Sequence, residues 1–257
     1  MAATVRRKDD LFDQITVTHG PAPLIGRFLL KAEHAVHYRG LQLSFVSMDE
    51  LLAVNEKNRD TWLPLFPLFN PTLNSLDKGN AFCVLGRNQQ GETVAAQAGR
   101  LFEWAETNLH DEATSLRMFY DTPEQSKKPH ERCIVTALAA KGVAGRVVFS
   151  GAAWYRRDYR GKQLVEILPR LARAYAYTRW RSDCTITMMT EAVVRGGVFP
   201  NNGYRNIEWD VRMENSRLGD LRLSLQWSKT DEMLEDLAWF VDSFDESAGS
   251  RAGARYA

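Results

Sequence analysis

Between Tyr155 and Leu164 the chain reads YRRDYRGKQL, and four cations, Arg156, Arg157, Arg160 and Lys162, surround one glycine, Gly161. Upstream, Val147, Val148 and Phe149 precede the small run Gly151-Ala152-Ala153 and Trp154, which reads as a β-strand. Downstream, Leu164, Ile167, Leu168, Leu171 and Tyr175 recur at spacings of three and four, the apolar face of a helix. A strand that turns through glycine into a helix leaves several N–H groups without acceptors at the helix start. The helix dipole adds partial positive charge there. That is the chemistry of a phosphate cradle. An ordinary βα turn with an Arg-Gly start is the plain alternative.

Other side chains that could do chemistry are isolated. His34 and His37 lie three apart on one helix and could share a metal, but no third ligand stands near, so a solvated face is expected. His130 and Cys133 have the same spacing and no further Cys or His beside them. The cysteines, Cys83, Cys133 and Cys184, are odd in number and widely separated, which fits reduced thiols better than disulfides or zinc. No metal site is expected.

The formal net charge of +1 over 257 residues gives no global drive toward nucleic acid or an anionic membrane. No apolar run reaches the roughly 18 residues of a membrane span. The start, MAATVRRKDDLFDQ, lacks the apolar core of a signal peptide, so a cytoplasmic protein is expected.

The elements that must position the cradle can be taken in order. Pro21 and Pro23 open a weakly amphipathic helix that ends near Gly40. Leu41, Leu43 and Phe45 alternate as a strand, and Ser47 with Glu50 forms a capping-box pattern that starts a helix at Met48. Three prolines and three large aromatics in NEKNRDTWLPLFPLFNP forbid one long helix there. Those aromatics either pack in the core or wall an acceptor pocket. Segments 81–87 and 92–104 form a hairpin through Asn88-Gln89-Gln90-Gly91. Residues 105–143 are an insert with a short helix over 111–120, a polar loop over 122–132, and an apolar stretch from Cys133 to Ala140 that is strand or helix. After the central strand, turn and helix come a strand at Cys184–Met189, a short helix or loop ending at Asn202-Gly203-Tyr204, and two alternating strands, one from Ile207 to Met213 and one from Leu221 to Trp227. Thr230 caps a last helix bearing Met233, Leu237 and Phe240 over 231–244. Its apolar stripe either packs on its own sheet, the preferred reading, or makes a homodimer contact. Pro169 inside the central helix predicts a kink.

The turn resembles motif A of the GCN5-related N-acetyltransferases, a strand followed by x-P-[DE]-Y-R-G-[KR]-G and a helix. Asp158, Tyr159, Arg160, Gly161 and Lys162 match; Arg157 stands where proline is frequent, and Gln163 where a second glycine or alanine is usual. The tetrad Asn201-Asn202-Gly203-Tyr204 resembles the G-[FY] signature of the same family, and the order of elements from Leu41 to Trp227 is similar to its fold.

The resemblance implies an α/β (α+β) acyl-CoA N-acyltransferase fold: a mixed, mostly antiparallel sheet flanked by helices, with an extra C-terminal helix. The domain would span residues 41–245, after an N-terminal extension (1–40) and before a disordered tail (246–257). It further implies acetyl-CoA or another acyl-CoA as co-substrate and an amine of a small molecule or peptide as acceptor. Trp154, Tyr155, Arg156, Asp158, Tyr159, Arg160, Gly161, Lys162, Gln163 and Leu164 would hold the cofactor. Gln163 would place its side chain near the pyrophosphate. Many members carry a glutamate on the central strand, but Arg146–Tyr155 has neither carboxylate nor histidine. By topology Glu103 and Glu191 are then the nearest candidates for a base. The acid position, four before Gly203, is Phe199, which has no hydroxyl. A non-catalytic module of the same fold, binding CoA or a protein, and an unrelated α/β protein binding another phosphate ligand are the alternatives.

Overall fold

The computed structural model describes residues 10–246. The tail expected to be disordered therefore lies, from residue 247 on, outside the described residues. In chain order the elements are α1 (Leu11–Gln14), α2 (Ala22–Tyr38), β1 (Gln42–Val46), α3 (Met48–Lys57), β2 (Ala81–Arg87), β3 (Thr93–Trp104), α4 (Leu109–Thr114), α5 (Pro123–Ser126), β4 (Arg132–Val135), β5 (Gly145–Tyr155), α6 (Leu164–Trp180), β6 (Cys184–Thr190), α7 (Glu191–Arg195), α8 (Val198–Asn201), β7 (Asn206–Ser216), β8 (Gly219–Lys229) and α9 (Thr230–Ser243).

The strands form one eight-stranded sheet in the order β1-β2-β3-β5-β6-β8-β7-β4. Each neighbouring pair is antiparallel except β5 and β6, which run parallel. The parallel pair needs a crossover, and α6 supplies it. This is the mixed, mostly antiparallel sheet flanked by helices that the sequence led one to expect.

Strand alternation splits the core into two layers. On one face Val147, Phe149 and Trp154 of β5 and Ile186 of β6 pack with α3, α4 and the 58–71 segment. On the other, Val148 packs with α6, α2 and α9. The aromatics of the 58–71 segment are core: Phe66 stacks on Phe149, Phe69 meets it edge-on, and Trp62 stacks on Trp154 with centroids 5.2 Å apart. Helix α9 packs within the chain, where buried Phe240 meets Phe28 edge-on at 5.3 Å and stacks on Phe244 at 4.2 Å.

Several local expectations are revised. The Cys133–Ala140 stretch divides into β4, which pairs with β7 as an edge strand, and a 3-10 turn. The helix placed over 111–120 is α4, which begins two residues earlier and stops at Thr114. Thr230 is the first residue of α9 and not its cap; Glu232 instead accepts from the Lys229 amide at 2.8 Å. Of the two helix histidines His34 is exposed, as expected, whereas His37 is half-buried and its Nε2 bonds Asp10 Oδ2 at 3.0 Å. Helix α6 runs from Leu164 to Trp180 with Pro169 inside it, in its second turn.

Candidate functional site

Strands β5 and β6 pair only at Val147 with Cys184, Val148 with Thr185, and Phe149 with Ile186. From Ser150 and Thr187 onward they part, and β6 stays paired to β8 on its far side as far as Thr190. The parted edge of β5 carries backbone groups with no strand partner, which is where an extended ligand can add hydrogen bonds.

The parting coincides with a bulge. Ala96 pairs with Trp154 and Ala98 with Gly151, so Ala152 and Ala153 stand together opposite Gln97. Ala152 has φ +50°. The Gln97 amide donates to Ser150 Oγ at 3.0 Å and to the Gly151 carbonyl at 3.2 Å, fixing the bulge from the neighbouring strand. Gly151 is required by space, since a Cβ there would lie 2.8 Å from Phe149 and 2.9 Å from Phe69.

Beyond the parting lies the cradle. After β5 the chain makes a 3-10 turn over Arg157–Tyr159, and α6 begins at Leu164. Between them Gly161 has φ +75° and Gln163 φ +56°. Left-handed residues on either side of Lys162 are the backbone pattern of an anion-binding nest. The N–H groups of Gly161, Lys162, Gln163, Leu164 and Val165 donate to no backbone or side-chain acceptor among the described residues. Five free donors stand at the head of a 17-residue helix, where the helix dipole adds partial positive charge.

The side chains around the nest divide in role. Arg156 is committed: it forks onto Asp158 at 2.8 and 2.9 Å and reaches Glu92 at 2.9 Å. These bonds hold its pKa above the ordinary arginine value and draw the Asp158 carboxyl below the usual range. Tyr159 lies under Arg156 and under Lys162, whose Nζ is 3.9 Å from the ring centroid. Arg160 Nε donates to the Tyr155 carbonyl at 3.2 Å. Arg157 and Arg160 are exposed beside the nest. The Trp154 side chain is core and donates to Thr61 Oγ1 at 3.3 Å, so only its backbone faces the parted edge. The Tyr155 hydroxyl reaches the Leu164 carbonyl at 3.4 Å, and burial pushes its pKa up. Gln163 does not cover the nest: Arg39 Nη2 donates to its Oε1 at 2.5 Å and draws it toward α2.

The two glutamates are not brought together. Glu103 sits opposite Arg146, at the end of β5 remote from the parting, with its Oε1 3.6 Å from Arg146 Nε. It lines a separate open cavity of about 740 Å³ with Trp104, Arg146, Arg179 and Arg181. Glu191 is the first residue of α7, directly after the parted half of β6. It pairs with Arg195 and lies 3.9 Å from Arg222.

Sequence reasoning missed two arginine centres. Arg170 and Arg173, on the buried side of α6, share Asp236 of α9 at 2.8 and 3.2 Å. They also hold the carbonyls of Asn201 and Asn202, which fixes α8 and the glycine-tyrosine pair after it. Arg173 lies over the Tyr204 ring at 4.4 Å, and burial pushes the Tyr204 hydroxyl up to about 12. The signal was two arginines three apart among Ile167, Leu168, Leu171 and Ala174, on a face that should be apolar. Arg39, the second centre, carried no sequence signal.

No protein-family model matches the chain, and no curated protein matches it. Solved structures do. The chain is similar to an uncharacterized protein from Bacillus halodurans, with 12% identity over 80% of this chain and 93% of that one, at a TM-score of 0.46. It is similar to mutant forms of the spermidine/spermine N-acetyltransferase of Vibrio cholerae, with 9% identity over 76% and 97%, at 0.47. It is also similar to the spermidine N-acetyltransferase of Vibrio cholerae in complex with CoA and spermine, with 13% identity over 76% and 98%, at 0.44. At these identities the likeness is one of fold alone.

Proposed function

We propose that this chain is an acyl-CoA-dependent N-acyltransferase that moves an acetyl group from acetyl-CoA to an amine of a small molecule or peptide. The observation that carries the reading is the run of five free amides, 161–165, following the stretch of β5 that has parted from β6. A diphosphate on the nest would be met by N–H donors and by Arg157, Arg160 and Lys162, while an extended pantetheine arm pairs with the backbone of β5 from Ser150 to Tyr155. The bulge at Ala152 leaves the thioester beside small side chains, open to an acceptor. Proximity and alignment of amine and thioester supply most of the acceleration such a transfer needs. The acceptor must still lose a proton, and Glu191, at the end of the parted β6, is the proposed base through water; Glu103 faces away from the cleft. Three buried free thiols and no helix able to cross a membrane among the described residues fit work in the cytoplasm.

The test is CoA release from acetyl-CoA, followed with a thiol reagent across a panel of primary amines. Amine-dependent release is expected. A second reading, a CoA-binding module without turnover, has its own support: the parted halves, Ser150–Tyr155 and Thr187–Thr190, contain no carboxylate or imidazole, and Phe199 has no hydroxyl. Binding of CoA with no release on any amine would favour that module and sink the transferase.

A further inference from the structure

We infer that Arg39, from the N-terminal extension, is a positioning residue that presets the phosphate nest for its ligand; this rests on the acyl-CoA reading above. Arg39 is the residue that ends α2, and it is buried, 7% exposed. Its guanidinium is held from two sides by four hydrogen bonds. Nη1 donates to the carbonyls of Ala35 at 2.8 Å and Glu246 at 3.0 Å, and the group lies 5.4 Å from the Phe244 ring centroid. Those contacts anchor it to α2 and to the end of α9. The other two are to the nest: Nε donates to the Lys162 carbonyl at 2.6 Å, and Nη2 to Gln163 Oε1 at 2.5 Å.

The Lys162 carbonyl and the Gln163 N–H belong to one planar trans peptide, so they point in opposite directions. Fixing the carbonyl against Arg39 therefore aims the Gln163 N–H away from it, into the nest. That N–H is the middle one of the five free donors. The second bond acts on the same residue. Gln163 holds φ +56°, a conformation that costs a side-chain-bearing residue and nothing for glycine. Holding the amide group of Gln163 back toward α2 supports that backbone and keeps the side chain off the donors. Arg39 thus supplies what a glycine at position 163 would provide without help.

The experiment measures CoA affinity by calorimetry for wild type, Arg39→Ala, Gln163→Gly and the double variant, with the unliganded melting temperature recorded for each. Loss of two bonds to a buried guanidinium should weaken CoA binding about 10-fold or more in Arg39→Ala. Because glycine adopts the left-handed turn unaided, the double variant should come back to within about 3-fold of Gln163→Gly. Equal affinity in Arg39→Ala and wild type would overturn the inference. A double variant as weak as Arg39→Ala would also overturn it, since Arg39 would then act through general stability. Should Arg39→Ala not fold, Arg39→Lys takes its place. It keeps the charge but cannot fork onto both acceptors, so CoA affinity equal to wild type refutes the inference. Wild type that fails to bind CoA removes the acyl-CoA reading itself, an outcome distinct from these.

Discussion

Replacing Gly203 by alanine should unfold the protein at far lower temperature, and the size of the effect can be worked from two glycines with the same backbone. Gly203 and Gly197 both have φ +80°. Around Gly197 nothing lies within 4 Å of where a Cβ would stand. Gly197→Ala therefore carries only the left-handed penalty, about 1–2 kcal/mol. At Gly203 the same Cβ would lie 2.3 Å from Asp236 Oδ2, 2.5 Å from Arg173 Nη2 and 2.8 Å from Arg170 Cζ. These atoms are the buried ion cluster, and Arg173 is fully enclosed, so they cannot swing into solvent. Opening a buried ion pair costs about 3–5 kcal/mol. The sum for Gly203→Ala is about 4–7 kcal/mol. At roughly 2–4 °C per kcal/mol for a chain of this size, Gly197→Ala should lower the melting temperature by about 2–8 °C and Gly203→Ala by about 8–28 °C. Tryptophan fluorescence melts of the three proteins give the comparison. Equal losses in the two variants would refute the packing argument, and with it the claim that Gly203 is a glycine because the arginine cluster occupies its side-chain space.

Three further outcomes are expected. CoA at 100 times its dissociation constant should stabilise the wild type by about 2.7 kcal/mol. In Gly161→Asp, which sets a carboxylate at the nest, that melting shift should be absent, and an undiminished shift would show that the diphosphate binds elsewhere. The thiols of Cys133 and Cys184 are pushed up to about 12 by burial, and Cys83 is raised as well. All three should resist a thiol reagent at pH 8 until the chain unfolds. Because thiolates then form only in the unfolded state, stability should fall as pH rises past about 8.5, and a stability curve flat to pH 10 would contradict this. Phe240→Ala removes a fully buried ring between Phe28 and Phe244 and should cost about 3–5 kcal/mol. An unchanged melting temperature with loss of a dimer in sedimentation would show instead that α9 serves an interface between copies.

What could be read from the sequence and what could not differ in physical kind. The β5–turn–α6 unit was legible because its determinants are local: a β-rich run, one glycine that must take φ +75°, and an apolar face at helical spacing. The paired strands β7 and β8 were legible by alternation for the same reason. The edge strand β4 was not, because four residues give too little periodicity, and its identity is decided by β7 across a gap of some 70 residues. Glu103 was named as a base by its place on the strand next to β5, but topology gives only neighbourhood. Register decides position, and pairing with Arg146 puts Glu103 at the end of the strand away from the parting.

Gln163 shows most directly why a motif is a local statement and a site is not. Read along the chain, it breaks a glycine position and sets a bulky side chain where phosphate should lie. In the fold the same residue is left-handed all the same, with its side chain held by a guanidinium more than a hundred positions earlier. The backbone geometry that a glycine would secure by having no side chain is here secured by a long-range hydrogen bond. Glycine lowers the cost of a left-handed turn wherever it stands, whereas Gln163 depends on α2 being folded against α6. Two hydrogen bonds of Arg39 join the N-terminal extension to the nest, so a truncation that removes α2 should weaken CoA binding in calorimetry even though every residue of the turn remains.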